Sequence, residues 1–547
     1  MRRPDVLHAE PTPRGDTRPL RRALVFAFAR PGNEDLLLDA CGVGELADSR
    51  WQPACFAQDL FLVELLETCL KVSAEGQLFE IDRKHLLRVL SHPPADPSHV
   101  AFRQGILNEL VSDSAQRESL EGAYAALRAM RTTLGGTELV RGRSDSAQRR
   151  IEILQSIRRA IDALASSFLG ATSGLARVRA FGRALWDSPA YQRLTQLLDF
   201  ENGRATLDSR LQVGYDGTLR RFEIVRVSEA EHAAFATGAV GRFWRRLVSL
   251  AKGYRFSEDD VLSRLLDEVF GQLEEAMVAL LPLTSELEFY LAALTFRDVC
   301  KRSGLEVCLP EFDVRAPGVA VRRLEGLFNP WLLARRETTP IPCTLAQEPA
   351  HATVILTGPN SGGKTRVLQA LAVSQLLGQA GFFVPASRAR LAWSEGMFLS
   401  LLERVSADQA EGRLGTELLR IRSVFESSPL GAVIILDELC SGTNPSEGEE
   451  IFQLVLSLLD ELDAQVFIST HFLDFASRLQ QDAKDKLHFL QVELDERDLP
   501  TYQFVPGVAR TSLARKTAAR LGVTREELLS LVEQKRLAGA VSGGKVP

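Results

Sequence analysis

Residues 358–365 of this chain, Gly358-Pro359-Asn360-Ser361-Gly362-Gly363-Lys364-Thr365, have the composition and spacing of a phosphate cradle. Glycines let the backbone curl so that its N–H groups point inward at phosphate oxygens, and a following helix adds partial positive charge from its N-terminus. In that arrangement Lys364 neutralises the β and γ phosphates of a nucleotide, and the Thr365 hydroxyl binds Mg²⁺. Downstream, an apolar run ends in Asp437-Glu438 within "VIILDELCSGTN". Two carboxylates at the carboxyl edge of a parallel sheet stand where ligands bind in α/β folds, Asp437 toward Mg²⁺ and Glu438 toward an attacking water. A third apolar run, "AQVFIST", delivers His471. A histidine at a strand end serves either as a structural group or, in this order of motifs, as a contact to the γ-phosphate.

These residues need elements to hold them. "ATVILTG", "AVIILDE" and "AQVFIST" are near-continuous apolar runs, each followed by a turn and a helical pattern, as expected of strands buried on both faces of a parallel sheet. Upstream, residues 60–200 carry apolar positions at threes and fours, with a loop at "SHPPADPSHV" (91–100) between helices. At 205–228 two alternating runs flank Asp216-Gly217, which reads as a hairpin or as a helix broken by a loop. The stretch 241–256 interleaves Arg242, Arg245, Arg246, Lys252 and Arg255 with aromatics. It suits either a nucleic-acid backbone or a solvated basic helix face. Leu262, Leu265, Leu266, Val269, Phe270, Leu273, Met277 and Leu280 then form one helical packing stripe.

At 547 residues with 45% hydrophobic composition, the chain is large enough for about two to four domains with cores of their own. Net charge of −6 gives no overall basic field, so any DNA contact must be local. The seven cysteines form no CxxC pair, which argues for reduced thiols and against a zinc site or a disulfide framework. No signal peptide is apparent, and no apolar run approaches the roughly 20 residues that span a bilayer. The expectation is a cytoplasmic protein with no membrane partner. A second SGGK, Ser542–Lys545, has neither a strand nor a helix around it in the sequence pattern and is a decoy.

The wording of these motifs resembles the MutS family of DNA mismatch-repair ATPases, itself close to the ABC type. "TGPNSGGKT", "LDELCSGTN" and "STHF" fit the family's nucleotide motifs. "AGFFVPAS" and "RLEGLFNPWL" are similar to flanking segments, and "YQFVPGVARTSLARKTAARLGVTREELL" to its closing helix–turn–helix. "RKHLLRVLSHPPADPSHVAFRQGILNEL", with Arg103-Gln104, looks like the family's core domain. The resemblance implies an α/β P-loop (ABC-type) ATPase domain at 313–534, preceded by a mainly α-helical core and lever domain at 1–312. A reduced clamp-like hairpin insertion would fall at about 203–260, and a flexible tail at 535–547. It also implies ATP and Mg²⁺ as cofactors, DNA as partner, and a homodimer formed through the ATPase domain and the helix–turn–helix. The function it suggests is a MutS-like DNA-binding ATPase in mismatch repair or recombination-related DNA maintenance.

Departures from the family pattern qualify this. The core motif starts near residue 80, so the expectation is a short form without the mismatch-reading and connector domains and without a Smr domain after the ATPase. Mismatch recognition of the usual kind is therefore not expected. In the family's signature segment, here "GRLGTE", Gly412 stands where the family has a serine. That favours one alternative, a nucleotide-gated scaffold with little hydrolysis. The other, an ABC-type ATPase subunit of another system, would be expected to show an LSGGQ-like segment.

Overall fold

The computed structural model describes residues 3–11, 15–41, 51, 59–136, 143–201, 206–213, 219–228, 258–315, 319–334, 339–359, 361–401, 413–440, 444–482, 486–510 and 523–542. The chain divides into two compact units. One comprises residues 1–48, 70–90 and 96–298, the other residues 49–69, 91–95 and 299–547.

The first unit is mainly helical, with short β1 (Val72–Ala74) and β2 (Gln77–Phe79) paired antiparallel. Local chemistry sets its helix starts. Asp96 caps the helix Pro97–Ser112 by accepting from the Ser98 N–H at 2.8 Å, with proline at the first helical position. Asp113 does the same for Ser114–Gly135, accepting from Ala115 N–H at 2.9 Å. Strands β3 (Thr206–Val213) and β4 (Leu219–Ser228), on either side of Asp216-Gly217 in the sequence, pair antiparallel. The basic stretch that follows, with Arg242, Arg245, Arg246, Lys252 and Arg255, lies outside the described residues.

The helix Glu258–Arg302 buries Leu265, Leu266, Val269, Phe270, Leu273, Met277 and Leu280, and Phe270 stacks on Phe28 with ring centroids 3.9 Å apart. One sequence expectation needs correcting here. The segment Ser263–Arg302 is long and apolar enough, at a mean hydropathy of 1.4, to pass as a membrane span by length and composition. Its charged residues and Pro282 interrupt any continuous apolar run, which hides this from a simple scan. In the structure 94% of its most apolar window is buried within the protein, so its hydropathy belongs to a core helix. Glu288 on this helix is buried and accepts from the Asp82 N–H at 2.7 Å and the Tyr124 hydroxyl at 3.1 Å. Burial raises the pKa of this carboxyl, against Arg131 and Arg128, which lower it.

The N-terminal residues Asp5 to His8 are buried too, their backbone read by side chains: Arg103 Nε donates to the Leu7 carbonyl at 2.8 Å and Arg177 to that of His8 at 2.9 Å. His85 packs nearby with its Nε2 buried and without a hydrogen-bond partner. Burial, aided by Arg3, Arg88 and Arg103 against an opposing Asp82, lowers its pKa from 6.5 to about 4. The unfolded chain therefore binds more protons than the folded one between these values. The stabilisation is complete above about pH 6.5 and is lost as pH falls toward 4, amounting to roughly 3 kcal/mol. Thermal melts of the whole chain across this window should show the loss, and His85→Gln should flatten it. An unchanged slope in the variant would reject the assignment.

The second unit is built on a six-stranded sheet of order β10-β11-β12-β8-β13-β14. These strands are β8 (Thr353–Thr357), β10 (Met397–Ser400), β11 (Val433–Leu436), β12 (Gln465–Ser469), β13 (Leu487–Leu494) and β14 (Pro500–Pro506). The first five in sheet order are parallel and β14 is antiparallel to β13. Every residue of β8, β11 and β12 is buried, which is why these strands read as unbroken apolar runs. A smaller sheet has the order β5-β9-β6-β7, from β5 (Glu311–Asp313), β6 (Arg322–Leu327), β7 (Cys343–Gln347) and β9 (Arg388–Ala392). Near the C-terminus the helix Arg525–Ser542 runs past residue 535, so much of the expected tail is helical.

The compact division departs from a boundary at residue 312. Residues 49–69 belong with the second unit, where Leu60, Leu62, Leu65 and Leu66 are buried. Asp59 accepts from the Leu401 N–H at 3.3 Å, and Cys69 Sγ donates to the Pro330 carbonyl at 3.2 Å. This segment carries no motif of its own, so pattern alone leaves it with the helices around it.

Candidate active site

Strand β8 delivers the chain into the glycine loop, and the helix Lys364–Gln379 leaves it. Gly358 and Gly363 adopt φ of 141° and 87°, conformations that side-chain-bearing residues avoid. Space imposes a second demand. A Cβ on Gly358 would lie 2.7 Å from Val492 Cγ2, and one on Gly362 2.9 Å from the same methyl. The loop is thus wedged against β13. Lys364 is 3% exposed, and its Nζ donates to the carbonyls of Gly358 at 2.9 Å and Pro359 at 3.1 Å. Burial lowers the pKa of this ammonium, while Glu438 and Asp437 raise it. Ser361 lies on the loop beside Gly362, and Asn360 falls outside the described residues.

Strand β11 ends at Leu436, and the Asp437 N–H donates to the Ser400 carbonyl at 2.8 Å. One Asp437 carboxylate oxygen accepts from the Thr365 hydroxyl and the other from Ser469. Burial raises the Asp437 pKa, and the Ser469 and Thr365 hydroxyls oppose the shift. The Glu438 N–H donates to Ser469 Oγ at 2.9 Å, and the Glu438 carboxylate lies 2.5 Å from His471 Nε2. Glu438 holds φ of 53° and Cys440 of 62°, so the backbone turns sharply just past the strand. The Glu417 carboxylate holds that turn by accepting from the Cys440 N–H.

Lys364, Thr365, Asp437, Glu438 and His471 therefore converge at the carboxyl ends of β8, β11 and β12. His471 meets Glu438, whereas the sequence reading aims it at a γ-phosphate. Gly412 and the basic residues 242–255 lie outside the described residues. Sequence reasoning overlooks Ser469, which ties the two carboxylate residues together. Its signal is a hydroxyl at the end of an apolar strand. The register of β11 on β12 sets Leu436 opposite Ile468, so Asp437 and Ser469 follow side by side.

Beside the loop is a cavity of about 720 Å³, whose lining includes Ser361 to Val367 together with Phe61, Phe328, Ile341, Tyr502 and Phe504. Its size suits a small-molecule ligand. Mg²⁺ fits the donor set at the loop's edge. The Thr365 hydroxyl and Asp437 carboxylate are hard oxygens already in contact, and such ions keep water and phosphate oxygens as their remaining ligands. Among the described residues no group of three or more His, Cys, Asp or Glu forms an all-protein metal cage.

A parallel α/β sheet whose central strand opens into this loop, with an acidic pair two strands away, defines a P-loop nucleotide domain of the ATPase type. Residues 354–535 match the family model for MutS domain V. This part of the chain is a MutS-type domain. The chain is 30% identical over 186 residues to the endonuclease MutS2 of Thermus thermophilus, covering 34% of this chain and 25% of that protein. With the endonuclease MutS2 of Caldanaerobacter subterraneus subsp. tengcongensis it shares 27% identity over 276 residues, 49% of this chain and 33% of the relative. The chain thus spans about a quarter to a third of the length of these curated relatives.

Proposed function

We propose that this protein is a Mg²⁺-dependent ATPase that couples ATP binding and hydrolysis to DNA binding in DNA repair or recombination. The observation that carries the catalytic part is the meeting of Lys364 and Thr365 with Asp437, Glu438 and His471 beside a cavity of nucleotide size. Lys364 and the loop N–H groups hold the phosphates. Thr365 and Asp437 would hold Mg²⁺, which would supply positive charge against the phosphates. Glu438, oriented by His471 and Ser469, takes the proton of the attacking water.

Similarity of the ATPase part to MutS-family proteins supports the DNA part, together with the basic stretch around Arg242, Arg245, Arg246, Lys252 and Arg255. The expected binding is strongly salt-dependent, with little mismatch preference. In the same reading residues 1–312, apart from the segment 49–69 that packs in the second unit, are core and lever with a clamp near 203–260, and residues 313–534 are the ATPase domain. Two chains pair through the ATPase domains and the C-terminal helix–turn–helix.

Lys364→Ala tests the site directly. Removing a buried ammonium that faces phosphate should cost about 2–5 kcal/mol of ATP binding, read by isothermal titration with Mg²⁺ present. Unchanged affinity would sink the assignment. For DNA, homoduplex, mismatched, branched and single-stranded probes are compared with and without ATP at several salt concentrations. Charge reversal at Arg242, Arg245 and Arg246 should release DNA at low salt, and undiminished retention would reject the clamp.

A further inference from the structure

Leu60 and Leu62 are fully buried, yet Phe61 between them is 37% exposed. It stands immediately before the helix Leu62–Thr68, in a left-handed conformation with φ of 47°. A bulky residue holds that conformation only where its surroundings over-determine it. Here they do. Asp59 is tied to the Leu401 N–H, the Leu65 N–H donates to the Phe61 carbonyl at 2.9 Å, and Cys69 at the far end of the helix is tied to Pro330. Both anchors lie in the second unit, as does the whole segment. Phe61, held by this strained turn, lines the same cavity as the glycine loop.

The rest of the cavity indicates what meets that ring. Its phosphate end is Ser361 to Thr365, and the rest of its lining brings the apolar and aromatic side chains of Phe328, Ile341 and Phe504 beside polar Asn329, Thr339 and Gln369. A ligand with its phosphates on the loop would place a planar base among these side chains. We propose that Phe61 is a specificity-determining residue of the nucleotide site, a π surface for the purine base of ATP. This rests on the ATP-binding reading given above. It also makes nucleotide affinity depend on a segment almost 300 residues upstream of the phosphate loop. The chain passes from that segment directly into the helical unit at Leu70.

The test compares Mg²⁺-ATP with Mg²⁺-tripolyphosphate, which carries the phosphates without a base, by isothermal titration of the full chain. Phe61→Ala should weaken ATP binding on the order of tenfold, the range of base–aromatic stacking, and leave tripolyphosphate affinity unchanged. Phe61→Tyr should restore ATP binding. Phe61→Leu keeps the apolar volume and loses the π face, so it should reproduce the selective loss even where the alanine variant folds poorly. Equal ATP affinity in wild type and Phe61→Leu would overturn the proposal, and so would a parallel loss of ATP and tripolyphosphate. If the wild-type protein binds neither ligand, the ATP-binding reading itself fails. If it binds both equally well, the phosphate site stands and the base contact does not.

Discussion

Glu438→Gln should lower phosphate release from Mg²⁺-ATP by about 10²–10⁴-fold, the usual contribution of a positioned general base, while leaving ATP affinity within a few-fold of wild type. Glutamine keeps the volume and the backbone turn, and the variant leaves Lys364 and Thr365 in place to hold the nucleotide. What disappears is the carboxylate that His471 Nε2 approaches at 2.5 Å. Because Ser469 Oγ still accepts from the backbone N–H of residue 438 and still meets Asp437, the loss isolates proton transfer from loop geometry. Single-turnover phosphate release alongside a binding titration separates the two effects. Equal background release by wild type and variant would reject the catalytic role. It would favour instead a nucleotide-gated scaffold, the reading that Gly412 at the signature position supports.

The parts of this site that were legible in the sequence are those where chemistry needs contiguous residues. A phosphate cradle demands its glycines, lysine and hydroxyl in one run, and an acidic pair at a strand end follows directly from an apolar stretch. Strands buried on both faces announce themselves as unbroken apolar runs, so β8, β11 and β12 could be read without knowing their order in the sheet. What could not be read are contacts made by pairing and packing across the chain. Ser469 acquires its place only because β12 lies beside β11. Val492 closes on the loop glycines from β13, and from β14 the Tyr502 ring stands 3.2 Å from where a Cβ on Gly363 would fall. Phe61 comes from a segment with no motif. The helix Glu258–Arg302 could be read as a packing element from its stripe, but its burial of Glu286 and Glu288 depends on partners far away in sequence.

Arg322→Met should destabilise the second unit by about 3–5 kcal/mol, although the position belongs to no motif. Arg322 is fully buried at the start of β6. Its guanidinium donates to Gln347 at 2.7 Å, Gln375 at 2.9 Å and Gln465 at 2.6 Å, and lies 5.3 Å from the centre of the Phe467 ring. No carboxylate contributes to its electrostatics, and burial alone pushes its pKa down to about 9, so it stays charged at neutral pH. Three amide oxygens and a π face take the place of a counter-ion. The glutamines pass the bonding on: Gln465 Nε2 donates to the Trp393 carbonyl at 2.8 Å and Gln375 Nε2 to that of Ala392 at 3.1 Å. Methionine fills much of the volume but strands three buried acceptors, at about 1–3 kcal/mol each before relaxation. Gln375 sits on the helix that begins at Lys364, and Gln465 on the strand that ends at Ser469. Their loosening should therefore weaken ATP binding along with the fold. Denaturant unfolding of both proteins, with the ATP affinity of the folded variant, measures the two consequences. A stability change under about 0.5 kcal/mol would mean that the cluster repacks around the apolar side chain.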